Sequence, residues 1–452
     1  MDQILYKYDL NLTTWIYLSS LLTIAIYFKF SRLWSLRNLD LLLLIAFAPG
    51  LVLVSPPKPG EAPLPAEVVL GGHIWLFSIG LLFLIRMLVD PMMVRRPLLE
   101  PNLSAGGLVF IACSLLVFLM VNVLTKELNP EDLDGPRQLR AWLSRTEAPA
   151  DESWLVKRGP GYPIIHTLPS IMMRPAFPRD EKLSAQASQY EADKATVRTM
   201  AILSHLAVVF GMVLIGMKHF DNVRTGIAAA TLYLLLPYTA EMTGQVGHVL
   251  PAALTVWAIL CYRRPLVSGM LLGLATGAVY YPVFLLPLWI GFYWKRGLLR
   301  FGIGFATMLA GLVASLAFVS SDWNSFVALV KPMLGWTSLS SEGLDGFWNT
   351  SPALAPYRIP VFAACAVMSL SFAIWPAQKN LGTLLSCSAA VMLGTQFWQA
   401  QGGGLYMGWY LPLLLLTVFR PNLEDRIAIS TLGDGWFTKR RLQLRVRAAA
   451  FF

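Results

Sequence analysis

Residues 265–297 read "PLVSGMLLGLATGAVYYPVFLLPLWIGFYWKRG". Arg263 and Arg264 precede the stretch and Lys295 and Arg296 close it, so both ends carry the charge of a cytoplasmic loop. The apolar run between them is split near Tyr280-Tyr281-Pro282. Each half makes a helix of ~21 Å, short of the ~30 Å hydrocarbon thickness. Proline removes a backbone donor and disfavours helix at the residue before it. The segment therefore predicts two short helices meeting inside the membrane or near its far face. Broken backbone at that depth is stable only within protein or against a wet cavity, which places a cavity near Tyr280 and Tyr281.

The rest of the chain fits this reading. It is 452 residues long, 56% hydrophobic and 14% charged, with a mean hydropathy of +0.57, which excludes an ordinary soluble globule. Apolar runs such as "WIYLSSLLTIAIYF" and "FGIGFATMLAGLVASLAFV" recur along it without the alternation of a barrel strand. The expected fold class is all-α, a polytopic integral membrane protein. The net charge of +10 reflects Lys and Arg in cytoplasmic loops rather than nucleic-acid binding. Cys113, Cys261, Cys365 and Cys387 all fall in apolar runs without metal-ligand spacing and read as packing residues. His73, His205 and His248, in or near membrane segments, read as packing or helix–helix hydrogen-bonding residues.

Basic residues assign the sides. Spans are expected at 13–28, 39–54, 68–88, 106–124, 199–217, 225–240 and 247–262, then the broken pair, then 299–319, 359–375, 381–397 and 405–419. This gives eleven full spans, an outside N-terminus and an inside C-terminus in the cytoplasmic membrane. The first run lacks a basic leader and a cleavage site, so it reads as an anchor. Two polar segments fall outside: 125–197, with 11 of the 26 acidic residues, and 320–357, rich in Trp, Ser and Gly. The tail from residue 421 is basic and cytoplasmic. "QAQGGGLYMGWY" (399–410) reads as a tight external turn with close helix packing.

Four stretches together resemble the GT-C superfamily of membrane glycosyltransferases that use polyprenyl-phosphate-linked sugars. They are "TVRTMAILSHLAVVFGMVLIGMKHF" with Arg198, "LLLPYTAEMTGQVGHVLPAALTVWAILCYRRP", the broken pair, and "GFWNTSPALAPYR" (346–358), which is similar to the mannosyltransferase-like branch. The resemblance covers residues 105–420 and leaves 1–104 as additional spans. Val279-Tyr280 stands where the family carries a lysine, and Val249 where it carries an acid.

The resemblance implies a GT-C-like helical bundle whose first large external loop opens on an acid at the membrane face. Here "NPEDLDGPRQL" (129–139) supplies Glu131, Asp132 and Asp134, followed by the interfacial helix "PRQLRAWL" and then "GPGYPIIHTLPS". A carboxylate suits the reaction, because an acceptor hydroxyl needs a base and an oxocarbenium-like transition state favours nearby negative charge. Asp134, then Asp132, is the expected base. Trp142 and Leu139 are expected in the headgroup layer. The phosphate leaving group needs cations or a divalent metal, with Arg137, Arg140, Lys157, Arg158, Lys331 and Arg358 as candidates. Tyr162, His166, His248, Tyr280, Tyr281 and Trp348 are expected to line the substrate cavity, and Trp323, Trp336 and Phe347 are further sugar-stacking candidates.

The acids also fit an ordinary cap and turn. The implied partners are a polyprenyl-phosphate-linked sugar donor, a lipid or glycan acceptor and membrane lipids. The competing class is a non-catalytic transporter, flippase or assembly component of the cell envelope. Glu241 is the only acid between Arg224 and Asp322, and such scarcity of embedded charge favours the enzyme.

Overall fold

The computed structural model describes residues 11–55, 62–93, 99–128, 130–144, 161–173, 185–320, 322–333, 344–350, 353–377, 379–400 and 402–421. Among these there are helices and short 3-10 turns but no β-strand. The first four helices are α1 (Leu12–Tyr27), α2 (Leu36–Val54), α3 (Ala66–Val89) and α4 (Ala105–Thr125). A polar group follows: α5 (Asp134–Ser144), α6 (Gly161–Ile165) and α7 (Thr167–Met173). The centre of the chain holds α8 (Ala185–His219), α9 (Val223–Leu235), α10 (Pro237–Glu241), α11 (Val246–Leu260), α12 (Pro265–Ala278) and α13 (Leu286–Tyr293). Then come α14 (Leu298–Val319), α15 (Trp323–Met333), α16 (Arg358–Ser371), α17 (Leu381–Trp398) and α18 (Leu411–Phe419).

Among the described residues, six helical stretches are long and apolar enough to cross a membrane: Leu36–Val54, Ala66–Met92, Ala105–Thr125, Ala187–His219, Leu298–Phe318 and Leu381–Trp398. This is fewer than the eleven full spans expected. The remaining apolar helices are shorter, and proline accounts for part of the difference. Pro237 ends α9 at Leu235 and splits the span expected at 225–240. The expected break in 265–297 is present: α12 stops at Ala278, and a 3-10 turn, Tyr281–Leu285, leads into α13.

Two differences concern the polar segments. α8 begins at residue 185, not 199, because "AQASQYEADKATVR" holds good helix formers and no Gly or Pro. At 35 residues it is ~52 Å long, so it projects well beyond the hydrocarbon layer. The expected interfacial helix is present as α5, but its apolar face does not meet lipid. Trp142 and Leu139 are buried, and Trp142 shares a cluster with Leu312, Leu316 and Phe326. The ends of α14 and α15 cover that face. Asp322 caps α15 by accepting from the Ser325 N–H at 2.8 Å; hydrogen bonds from the Ser325 hydroxyl and then from this N–H hold its carboxyl below the usual range.

α17 is the central helix, with 94% of its apolar window buried. α3, α16 and α18 pack around it. Its start is fixed by a capping box between Asn380 and Thr383. One continuous core runs from Trp15 to Phe419, so the first three helices share it with the rest. At one end of the bundle four buried charges join. Arg86 binds Asp40 through Nε at 3.0 Å and Nη2 at 3.2 Å, and Asp90 through Nη1 at 3.0 Å. Asp90 also accepts from Arg420 Nη2 at 2.7 Å. His205 makes the helix–helix hydrogen-bonding contact expected of it, 3.1 Å from the Thr243 carbonyl, and His219 lies 2.9 Å from that of Leu260.

α12 and α14 make the tightest helix contact, backbone against backbone. A Cβ at Gly269 would strike the Phe301 carbonyl, and one at Gly273 would come within 2.8 Å of that of Phe305. Gly302, on the same helix as Phe301, has nothing within 4 Å. Gly269→Leu should therefore cost about 1–3 kcal/mol by forcing the pair apart, whereas Gly302→Leu should stay within about 0.5 kcal/mol. Denaturant unfolding in micelles reads both, and equal effects would refute the close-approach argument. Arg86→Met leaves two buried carboxylates with Arg420 as their one guanidinium and should cost about 3–5 kcal/mol in the same assay. An unchanged midpoint there would show that the four charges add nothing.

Candidate functional site

The acid cluster forms at the entrance to α5. A 3-10 turn, Pro130–Leu133, leads straight into the helix, so Asp134 sits in its first turn, where the helix dipole favours negative charge. Leu133 anchors this turn, 2% exposed, in a cluster with Tyr162, Val197, Val246 and Leu250. Asp132 is 4% exposed, Asp134 is partly exposed and Glu131 is exposed.

Gly135 then lets two rings approach. A Cβ there would lie 2.9 Å from both Tyr162 Cε1 and His166 Cε1. Those rings meet edge to face at 4.6 Å, and His166 Nδ1 lies 2.8 Å from the Tyr162 carbonyl. Gly161 seats α6 against Gly277 at the end of α12, immediately before the break. The structure thus brings Asp132, Asp134, Tyr162 and His166 to one place, beside the interrupted helix.

The cations are disposed differently. Arg140 pairs with Asp193 and donates to Gln189 at 3.3 Å, tying α5 to the projecting part of α8. Its role is structural as well as electrostatic. Arg137 is exposed on α5, and Lys331 is exposed near the end of α15. Trp323 is also exposed. Lys157, Arg158 and Trp336 lie outside the described residues. Among the described residues no three His, Cys, Asp or Glu side chains group to hold a metal ion.

His248, Tyr280, Tyr281 and Arg358 form a second cluster, on the other side of the first turn of α11, and Trp348 lies apart from it. His248 Nδ1 lies 2.6 Å from the Tyr238 hydroxyl, and its ring stacks on Tyr406 at 4.2 Å. Tyr406 packs on Trp409, Trp409 on Tyr281, and Tyr281 on Trp398, with centroids 4.6–5.2 Å apart. Arg358, 3% exposed, donates from Nε to the Trp398 carbonyl at 2.8 Å. Tyr280 is partly buried and packs on Tyr281 and Phe284. Trp348 is buried next to Phe347, with their rings 4.9 Å apart.

The two clusters share α11. Val246 and Leu250 face the acid side, and His248 faces the aromatic side. Tyr238, Tyr406, Trp398 and Trp409 are the members that sequence reading did not identify. The one available signal was "GGGLYMGWY". Its turn forms as expected, with Gly402 and Gly404 at φ +60° and +89°. Gly408 then approaches the His248 carbonyl so closely that a Cβ there would collide with it.

No protein family, no curated protein and no solved structure matches this chain.

Proposed function

We propose that the chain is a membrane glycosyltransferase with a GT-C-like bundle. In this reading it moves a sugar from a polyprenyl-phosphate donor to a lipid or glycan acceptor on the extracytoplasmic face of the cytoplasmic membrane. The observation that carries the reading is that the turn holding Asp132 and Asp134 packs through Leu133 and Gly135 onto Tyr162 and His166, beside the break in the helix. That position is where a lipid-borne phosphate and an acceptor hydroxyl would meet.

The chemistry follows from the residue types. Asp134 keeps partial solvent access, so it is the base that takes the proton from the acceptor hydroxyl. The hydroxyl oxygen bonds to the anomeric carbon as the bond to the phosphate oxygen breaks, which inverts the configuration. The polyprenyl phosphate leaves with the electron pair. Asp132, nearly buried, adds negative charge beside the oxocarbenium-like centre. Arg137, exposed on α5, is the cation this reading assigns to the phosphate.

The orientation belongs to this proposal. Arg37 and Arg224 bind carbonyls of the 100–103 segment at 3.2 and 2.6 Å, so basic loops gather at one end, opposite the acid turn. The positive-inside rule makes that basic end cytoplasmic.

Two experiments test the reading. In intact cells, a cysteine placed at exposed Asn349 should react with an impermeant maleimide, and one at exposed Lys295 only after permeabilisation; the opposite pattern overturns the orientation. In vesicles carrying a panel of polyprenyl-phosphate hexoses, Asp134→Asn should slow transfer by about 10²- to 10⁴-fold, with Glu131→Gln close to wild type. Absence of transfer from every donor refutes the function. Full activity in both Asp134→Asn and Asp132→Asn reduces the acids to caps and turns.

A further inference from the structure

The connection between α1 and α2 surrounds a cavity of about 630 Å³, lined by Lys29, Ser31, Arg32, Trp34, Ser35 and Arg37. That volume falls within the ~300–1,000 Å³ of ligand sites. Every charge on its wall is positive, and residues 11–39 contain no Asp or Glu. Among the described residues neither Lys29 nor Arg32 has an ion-pair partner.

Hydrogen bonds fix the frame of this cavity. Asn38, fully buried, donates from Nδ2 to the carbonyls of Lys29 and Arg32 at 2.9 and 3.0 Å. Its Oδ1 accepts from the Lys29 N–H at 3.1 Å. Within the loop the Arg32 N–H donates to the Lys29 carbonyl at 3.2 Å, and the Ser35 N–H to the Arg32 carbonyl at 3.1 Å. The segment before α4 holds it from the side. Arg37 Nη2 donates to the Glu100 carbonyl at 3.2 Å, and Asn102 Nδ2 to those of Ala25 and Phe28, both at 3.0 Å. The three cations are therefore carried on a backbone that is set before any ligand arrives.

The wall specifies its ligand. An ammonium and two guanidinium groups are donors without an acceptor, so they suit an oxygen-rich anion, a phosphate above all. Beside them stand Phe30, Leu33 and Trp34, exposed by 68%, 56% and 97%. Three large apolar side chains open within five residues mark a surface that meets something apolar. The apolar helices α1 and α2 both end at this loop, so the membrane surface passes here. At that level aromatic rings sit among headgroups and cations meet anionic lipids. An occupant anionic at one end and apolar at the other satisfies both halves of the site, whereas a soluble phosphate satisfies one.

We propose that the loop 28–35, with Arg37, is a binding site for the phosphate headgroup of an anionic membrane lipid. Lys29, Arg32 and Arg37 meet the phosphate oxygens, and Leu33 and Trp34 rest against the glycerol and the upper acyl chains. The site lies at the opposite end of the bundle from the acid turn, since α4 runs from the segment bonded to this loop towards that turn. It requires only that this end meets a membrane surface, so it does not rest on the transfer reaction proposed above.

The test is native mass spectrometry of the full chain in a neutral detergent, given equal amounts of dioleoyl phosphatidylglycerol and dioleoyl phosphatidylcholine. Both lipids carry a phosphate, and only the first has a net charge. The wild type should retain phosphatidylglycerol about five times more often than phosphatidylcholine. Lys29→Gln combined with Arg32→Gln should abolish that preference. Lys295→Gln combined with Arg296→Gln removes equal charge from exposed positions at the same end of the bundle and should keep it. Trp34→Ala, at a side chain almost wholly exposed and so outside the core, should lower retention about threefold. Excess inorganic phosphate should leave the lipid in place. The proposal is overturned by equal retention of the two lipids, by a preference that survives the Lys29 and Arg32 changes, or by an equal loss with Lys295 and Arg296. Wild-type retention in Trp34→Ala, or displacement by inorganic phosphate, overturns the lipid as occupant.

Discussion

The architecture depends on the neutral quartet Asp40, Arg86, Asp90 and Arg420. A lone ion in the hydrocarbon region is expensive, and two carboxylates close together are worse. Pairing them with two guanidinium groups makes the set electroneutral and directional, since Arg86 grips Asp40 with two nitrogens. The four residues come from α2, from α3 and the turn that follows it, and from the residue just after α18. They therefore hold the N-terminal helices to the C-terminal end of the bundle. That contact reaches towards the second cluster too, because α3 brings Phe77 against the Gly403–Gly404 turn that leads to Tyr406.

What the sequence revealed depended on how local the signal was. The break at Val279–Tyr281 was legible because proline and flanking basic residues both mark it within a few positions. The start of α8 was not, because hydropathy locates the membrane and not the helix, and "QASQYEADKATVR" is polar yet strongly helical. The helix α5 was legible, but its partner was not. An amphipathic pattern states that one face seeks apolar surroundings without saying whether lipid or protein supplies them, and here Leu312, Leu316 and Phe326 do. Scarcity of embedded charge held for residues 225–321, whereas the quartet lies outside that window.

The candidate site shows the same division. Glu131, Asp132 and Asp134 stood out by their density, and Tyr162 and His166 by their place in the same loop. Tyr238, Tyr406 and Trp409 meet His248 and Tyr281 only after folding, across separations too long for any local pattern. The first turn of α11 serves both clusters because neighbouring helical positions point to different faces: Val246 and Leu250 to one, His248 to the other. A small rotation of this turn would move the acid side and the aromatic side together.

α17 has a consequence for how the protein is made. It is the least hydrophobic of the six, and it includes Thr383, Ser386, Ser388 and Thr395. Its insertion energy is correspondingly small, because hydroxyl side chains gain little from lipid. Yet 94% of its apolar window ends up inside protein. The helix is suited to partner helices more than to acyl chains, so it depends on the earlier spans already standing in the membrane when it leaves the insertion machinery. Assembly thus has an order written into it, with the innermost helix among the last to arrive.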